Sequence, residues 1–349
     1  MSANPMVRLM FFFFLATHFG WSAEVEDYLK KPETWYRSEE AKTVANNVLS
    51  YQTDSGAWPK NTDTVKRPFT GKRKDLKPTF DNGATMDELR FLARCFQATE
   101  HKPYQEAFQR GLDYIFIAQY PNGGWPQYYP LSKQYHRHIT FNDGSMVRVM
   151  EFLREVANDP LYTFVTATDR KKAATAFDKG IDCILRCQIR IDGKRTVWCA
   201  QHDEVTLAPA TARSYELPSL SGSESVGITR LLMSLEKPNS EIIAAVEGAV
   251  AWFEKSAQRG IRIESIKDPE ASGGKDKVIV KDAEARPLWA RFYDLKNQQP
   301  MFCDRDGVPK TSYSAIGHER RNGYSWYGTW AQSLIEKDYP KWKKLNTTR

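Results

Sequence analysis

Gln52-Thr-Asp-Ser-Gly-Ala-Trp58-Pro59 is followed by Thr79-Phe80-Asp81-Asn82-Gly83, and the phrase then returns. Its second form is Gln119-Tyr-Pro-Asn-Gly-Gly-Trp125-Pro126, followed by Thr140-Phe141-Asn142-Asp143-Gly144. The two copies start 67 residues apart, from Gln52 to Gln119. A third, worn copy starts at Gln188, where Gly193 and Trp198 keep the order and Ser221-Gly222 stands in place of the acidic pair. Helix-like spacing follows each phrase: Met86, Leu89, Leu92, Ala93 and Phe96 after the first, and Met146, Val149, Met150, Phe152 and Leu153 after the second. A unit of helix, Gly-Trp loop, Asp-Gly loop and helix cannot bury its apolar face alone, so its copies must stack. The expected fold is therefore all-α, an α/α toroid (an incomplete α/α barrel of helical hairpin repeats) with long irregular loops. Alternate loops lie on one rim, and that rim is acidic.

Outside the repeats the chain is less periodic. Glu264 to Lys281, with Asp-Pro-Glu and Ser-Gly-Gly, reads as an exposed excursion, and strand-like alternation is confined to short pieces near Val278-Ile279-Val280. Ala283 to Tyr327 is aromatic and basic, and reads as loop-rich and close to the site.

Residues 1–23 hold one cation, Arg8, ahead of Leu9-Met-Phe-Phe-Phe-Phe-Leu15 and a small residue at Ala23, the layout of a secretory signal. The apolar run is too short for a membrane anchor. Export to a periplasm or the medium is expected, with residues 24–349 forming a single catalytic domain that works as a monomer. The chain has 50 Lys+Arg against 43 Asp+Glu. This excess is too small, and no helix carries a clustered basic face, for a nucleic-acid binder. It suits an enzyme that attracts a polyanion, and equally ordinary solubilising charge. Five cysteines (Cys95, Cys183, Cys187, Cys199 and Cys303) make no dense disulfide framework. Cys183 and Cys187 lie one helical turn apart and face toward Cys199, which leaves a bridge open.

The chemistry-bearing residues are acids and cations rather than histidines. Asp81 and Asp143 each precede a Gly and a helix, so each has a capping role open to it. With Asn82 they also offer hard oxygens that suit Ca²⁺ assembled across repeats. Trp58 and Trp125, each between a small residue and Pro, offer flat rings for a sugar face or act as buried locks. Lys60 adds a cation at the first such loop. Arg213, Arg291 and Arg305 have aromatic or acidic neighbours able to hold a planar fork against a carboxylate. Tyr324 and Trp326 add ring surface. His136, His138 and His202 lack the spacing of a triad or metal site, and no nucleophile elbow or phosphate loop is present.

At these residues the chain resembles the pectate lyases of polysaccharide lyase family 10. The likeness runs through Gly56-Ala-Trp-Pro-Lys60, Asp81-Asn-Gly-Ala-Thr85, Asn122-Gly-Gly-Trp-Pro126, Phe141-Asn-Asp-Gly144, Ala212-Arg-Ser-Tyr-Glu-Leu217 and Arg291-Phe-Tyr-Asp294. The resemblance implies Ca²⁺-dependent β-elimination of polygalacturonate, an acidic polysaccharide. It places Arg213 at the catalytic base, Asp81 and Asp143 beside the metal, and Arg291 and Arg305 at substrate carboxylates. An arginine base implies an alkaline optimum, because guanidinium resists deprotonation below a pH of about 12. Two other readings stay open on the residues alone. One is a glycoside hydrolase on the same toroid with Asp81 and Asp143 as acid and base; the other is a non-catalytic sugar-binding protein.

Overall fold

The computed structural model describes residues 25–271 and 273–346; the signal segment read in residues 1–23 lies outside them. Ten α-helices are present among the described residues. They are α1 (Val25–Tyr28), α2 (Glu39–Ser50), α3 (Met86–Thr99), α4 (Lys102–Ala118), α5 (Ser145–Asn158), α6 (Ala167–Cys187), α7 (Glu224–Met233), α8 (Ser240–Ser256), α9 (His318–Gly323) and α10 (Tyr339–Asn346). Antiparallel neighbours α3 and α4, α5 and α6, and α7 and α8 pack as hairpins. The hairpins stack in two layers. In one layer α3 touches α5 and α5 touches α7; in the other α2 touches α4, α4 touches α6 and α6 touches α8. One continuous apolar core runs through the stack, from Val44 and Val48 on α2 to Val246 and Phe253 on α8.

The repeated Gln is a stitch between copies. Gln52 Nε2 donates to Gly56 O (2.7 Å) and to Ala107 O on α4 (2.8 Å). Gln119 does the same to Gly123 O and Ala176 O on α6, and Gln188 to Thr196 O and Ala245 O on α8. Each side-chain amide thus satisfies its own loop and the next helix of its layer, leaving no buried donor stranded. Gly56 and Gly123 have φ near +100° and sit against backbone of Arg110 and Lys179 where a Cβ would collide, which explains the invariant small residue in both loops.

The repeated Trp is a second stitch, and it occurs four times. The indole N–H of Trp58 donates to Val48 O (2.7 Å), Trp125 to Ile115 O (2.9 Å), Trp198 to Ile184 O (2.7 Å) and Trp289 to Phe253 O (2.9 Å). The fourth copy escapes a motif search because Leu288-Trp289-Ala290 lacks both the glycine and the preceding Gln.

The all-α expectation needs correction at the loops. Among the described residues twelve short strands pair two by two, and the excursion read at 264–281 is an antiparallel hairpin of Ile261–Lys267 with Lys275–Lys281. Most of the other pairs are two-residue ladders that tie rim loops together, such as Leu220–Ser221 with Phe292–Tyr293. The five cysteines are all buried and free, so the bridge left open by their spacing does not form. No helix among the described residues is long and apolar enough to cross a membrane.

Candidate active site

Backbone pairing fixes which rim residues correspond. The N–H groups of Thr79, Thr140 and Ser221 donate to the carbonyls of Trp58, Trp125 and Trp198 in turn. The next residues, Phe80, Phe141 and Gly222, donate to Gln127, Ala200 and Arg291, each two positions past the Trp of the following copy. Counting three residues on from Thr79, Thr140 and Ser221 reaches Asn82, Asp143 and Glu224. Ser221-Gly222 is therefore the counterpart of Thr-Phe, not of the acidic pair, and the third copy does carry a carboxylate. Setting Ser221-Gly222 on the acidic pair places the register two residues early and passes over Glu224.

The same register explains the cations. Lys60, Gln127 and Arg291 all stand two residues past a repeat Trp, and each meets an acid. Lys60 Nζ and Gln127 Nε2 both donate to Asp81 Oδ2, the latter at 2.6 Å. Arg291 Nη2 donates to Glu224 Oε1 (2.5 Å) and Asp143 Oδ1 (3.1 Å), bridging the acids of two copies. Burial alone would lower the affinity of Arg291 for its proton, but Glu224 and its neighbours outweigh that and raise its pKa. Lys60 is raised in the same way, with Asp81 overcoming burial.

Asn82 and Asp143 hold left-handed backbone (φ +53° and +48°), a conformation that Asn and Asp tolerate better than most residues. It turns both side chains into a cleft of about 660 Å³ shared with Lys60, Asn61, Asp87 and Arg148. Asp81 is buried, and its Oδ1 has no hydrogen-bond partner. A buried carboxylate oxygen left unmatched, with the amide of Asn82 next to it in the chain, suits a hard cation. Among the described residues, the carboxylate and histidine groups close enough together to share a metal ion are His138 with Asp203 and Glu204, and Asp268 with Asp276 and His318. Neither includes Asp81, Asn82 or Asp143.

Arg213 comes from the loop between Trp198 and Ser221. Its Nε and Nη2 donate to the two oxygens of Glu216 at 2.7 and 2.5 Å. That fork holds the guanidinium proton firmly and raises the Arg213 pKa. Burial pushes the Glu216 carboxyl up, yet Arg213 and the Tyr324 hydroxyl (2.7 Å) bring it below the usual range. Tyr324 is the hub of the arginines: its ring centroid lies 5.6 Å from the Arg213 guanidinium and 5.1 Å from that of Arg291. Arg305 is farther out. It pairs with Glu319 at 2.9 Å and reaches the ring of Tyr215, on which Arg213 also lies.

The tryptophans are a correction. Trp58 and Trp125 are 0 % exposed and Trp326 is 2 % exposed, so none presents a face to a sugar. Each spends its indole N–H on a backbone carbonyl, Trp326 on that of Arg320. Trp58→Phe is accordingly expected to lower stability by about 1–3 kcal/mol, the cost of a lost buried hydrogen bond and lost volume, with KM unchanged. Thermal unfolding beside steady-state kinetics checks it; a raised KM at unchanged melting temperature would restore the ring to the cleft.

Partly exposed aromatic surface is supplied instead by Tyr128, an expected ring at the second Trp-Pro loop, and by Tyr135 and His136, absent from the expected site. Tyr135 stacks on His136 with centroids 3.9 Å apart, and Tyr128 meets His136 edge-on at 4.9 Å. Lys60 lies 6.0 Å from the Tyr128 centroid. His202 is a structural residue: it accepts from Cys199 N (3.1 Å), with its other nitrogen 2.8 Å from Leu207 O.

The sequence profile described as pectic acid lyase matches residues 52–335. Two solved structures of a family 10 polysaccharide lyase from Cellvibrio cellulosa are 36% identical, with a TM-score of 0.76. Both cover 91% of this chain, and 96% and 95% of their own. The first is an alanine variant in complex with trigalacturonic acid. No curated protein sequence matches the chain.

Proposed function

The chain belongs to the pectic acid lyase family and is a polysaccharide lyase, and on that premise we propose that it cleaves α-1,4-polygalacturonate by β-elimination. The observation that carries the reading is Arg291, which joins Asp143 and Glu224 while its buried Nε–H has no protein acceptor. A guanidinium held in place at a rim of acids is provision for an anionic oxygen of the substrate. In the neighbour from Cellvibrio, the molecule bound is an oligomer of an acidic sugar.

Elimination requires a proton to leave C5 and the C4–O bond to break, giving a C4–C5 double bond without water. The C5 proton is weakly acidic because the adjacent carboxylate is already negative. Arg291 carries preorganised positive charge to the oxygens where charge builds. Tyr324, Glu216 and Glu224 fix the two guanidiniums so that little reorganisation is needed. Arg213 is the base in this reading, and Arg305 and Lys60 grip flanking carboxylates. Asp81, Asn82 and Asp143 would hold Ca²⁺, which when bound neutralises the substrate carboxylate and makes C5 more acidic. We further read residues 24–349 as one exported unit whose helical hairpins wind into an incomplete α/α toroid.

Purified protein on polygalacturonate is expected to release products with the ultraviolet absorbance of a conjugated double bond. EDTA should abolish that signal and added Ca²⁺ restore it. Reducing ends released without the absorbance would identify hydrolysis instead, and an EDTA-insensitive rate would remove the cation from the scheme.

A further inference from the structure

The segment 66–77 is a one-signed run: Lys66, Arg67, Lys72, Arg73, Lys74 and Lys77 against a single internal acid, Asp75. It lies off the α-helices, with a single 3₁₀ turn at Arg73–Asp75, and so forms no basic α-helical face. All six cations are exposed, and of them Lys66 pairs at 3.4 Å with Asp63. The loop is nonetheless anchored. Phe69 packs against Tyr51 at 5.3 Å, and its N–H donates to Ser50 Oγ at 2.7 Å.

The run ends at a groove. Leu76, Lys77 and Pro78 form one wall, and Tyr128, Tyr129 and His136 lie across a space of about 350 Å³. That groove adjoins the candidate active site: His136 feels the charges of Lys60 and Asp81 as well as Lys77, and Tyr135 those of Lys60, Arg213 and Glu216. The aromatic wall is held in place. His136 O accepts from Gln127 N (2.9 Å), and His138 pairs with Glu204 at 2.9 Å.

We propose that this basic loop and the Lys77–Tyr128–His136 groove form a distal polyanion-binding arm, which captures long polygalacturonate beyond the sugars handled by the arginines. The inference rests on the polygalacturonate reading of the site. The chemistry matches the two faces of the polymer. Aromatic edges and faces pack against pyranose C–H bonds, and a cluster of cations meets a line of carboxylates. A one-signed loop at the end of a cleft raises the local concentration of an oppositely charged chain, and this attraction is screened by salt.

The triple variant Lys72→Ala/Arg73→Ala/Lys74→Ala tests it, because these side chains are exposed and outside the candidate catalytic machinery. At about 0.01 M salt, where charges act over about 30 Å, kcat/KM on long polygalacturonate is expected to fall about tenfold. At about 1 M salt, with a Debye length near 3 Å, variant and wild type should converge. Turnover of trigalacturonate should be unchanged at either salt concentration. Lys77→Ala should raise KM for the polymer and leave kcat alone. Unchanged polymer kinetics at low salt, or equal losses on polymer and trimer, would overturn the arm while leaving the lyase standing. Wild-type protein that neither binds polygalacturonate by calorimetry nor cleaves it would instead sink the functional reading itself.

Discussion

Arg291→Ala is expected to cost turnover about 10²–10³-fold and to destabilise the fold by about 3–5 kcal/mol at once. The two losses have one origin. The Arg291 side chain is 12 % exposed and Glu224 2 %, and the pair closes at 2.5 Å. Deleting the guanidinium leaves a carboxylate at the start of α7 that accepts from the Ser221 hydroxyl but has no countercharge. A buried charge stripped of its partner is far more costly than the pair is worth. Arg291→Ala/Glu224→Gln should therefore recover most of the lost melting temperature and none of the lost kcat. Arg291→Lys is a sharper probe, since an ammonium can neutralise Glu224 but cannot offer a fork to Asp143, Glu224 and substrate together. Thermal unfolding and kinetics on the four proteins separate these roles. A single Arg291→Ala variant with an unchanged melting temperature would show that Glu224 does not depend on it.

The contrast between Arg291 and Trp58 shows what the sequence made legible. Repetition with helical spacing was enough to predict stacked hairpins, because Gln52, Gln119 and Gln188 recur for a reason that acts within one residue: a side-chain amide closing its own loop. Exposure is not written in that way. Gly-Trp-Pro looks the same whether the ring faces solvent or core, and here the core takes it. Glu224 and the fourth Trp were hidden for a different reason. Their correspondence is carried by backbone pairing, as in Gly222 N to Arg291 O, and backbone pairing leaves no residue type behind. Arg213 stood out from its Ala-Arg-Ser-Tyr-Glu setting, but its grip on Glu216 needed coordinates. That grip changes what is expected of it.

Arg213→Ala is expected to reduce turnover by about 10²–10⁴-fold, the usual worth of a proton-transferring group, while polygalacturonate still binds. The pH dependence is the more discriminating experiment. A guanidinium acts as base only when neutral, and Glu216 opposes this: two hydrogen bonds and its negative charge raise the Arg213 pKa. Replacing the carboxylate with an amide removes the charge but keeps an acceptor, so Glu216→Gln should lower that pKa. The sign then follows. In the wild type, activity climbs with pH as neutral Arg213 becomes available; in Glu216→Gln the same climb must begin at lower pH. Tyr324, which donates to the same Glu216 oxygen, can still bond to glutamine, so the arginine hub should survive and the melting temperature should move little. Profiles of kcat/KM against pH for wild type and Glu216→Gln read this directly. If Arg213→Ala abolishes turnover but the Glu216→Gln profile does not shift, Arg213 works as a fixed cation, and the proton at C5 goes to another group.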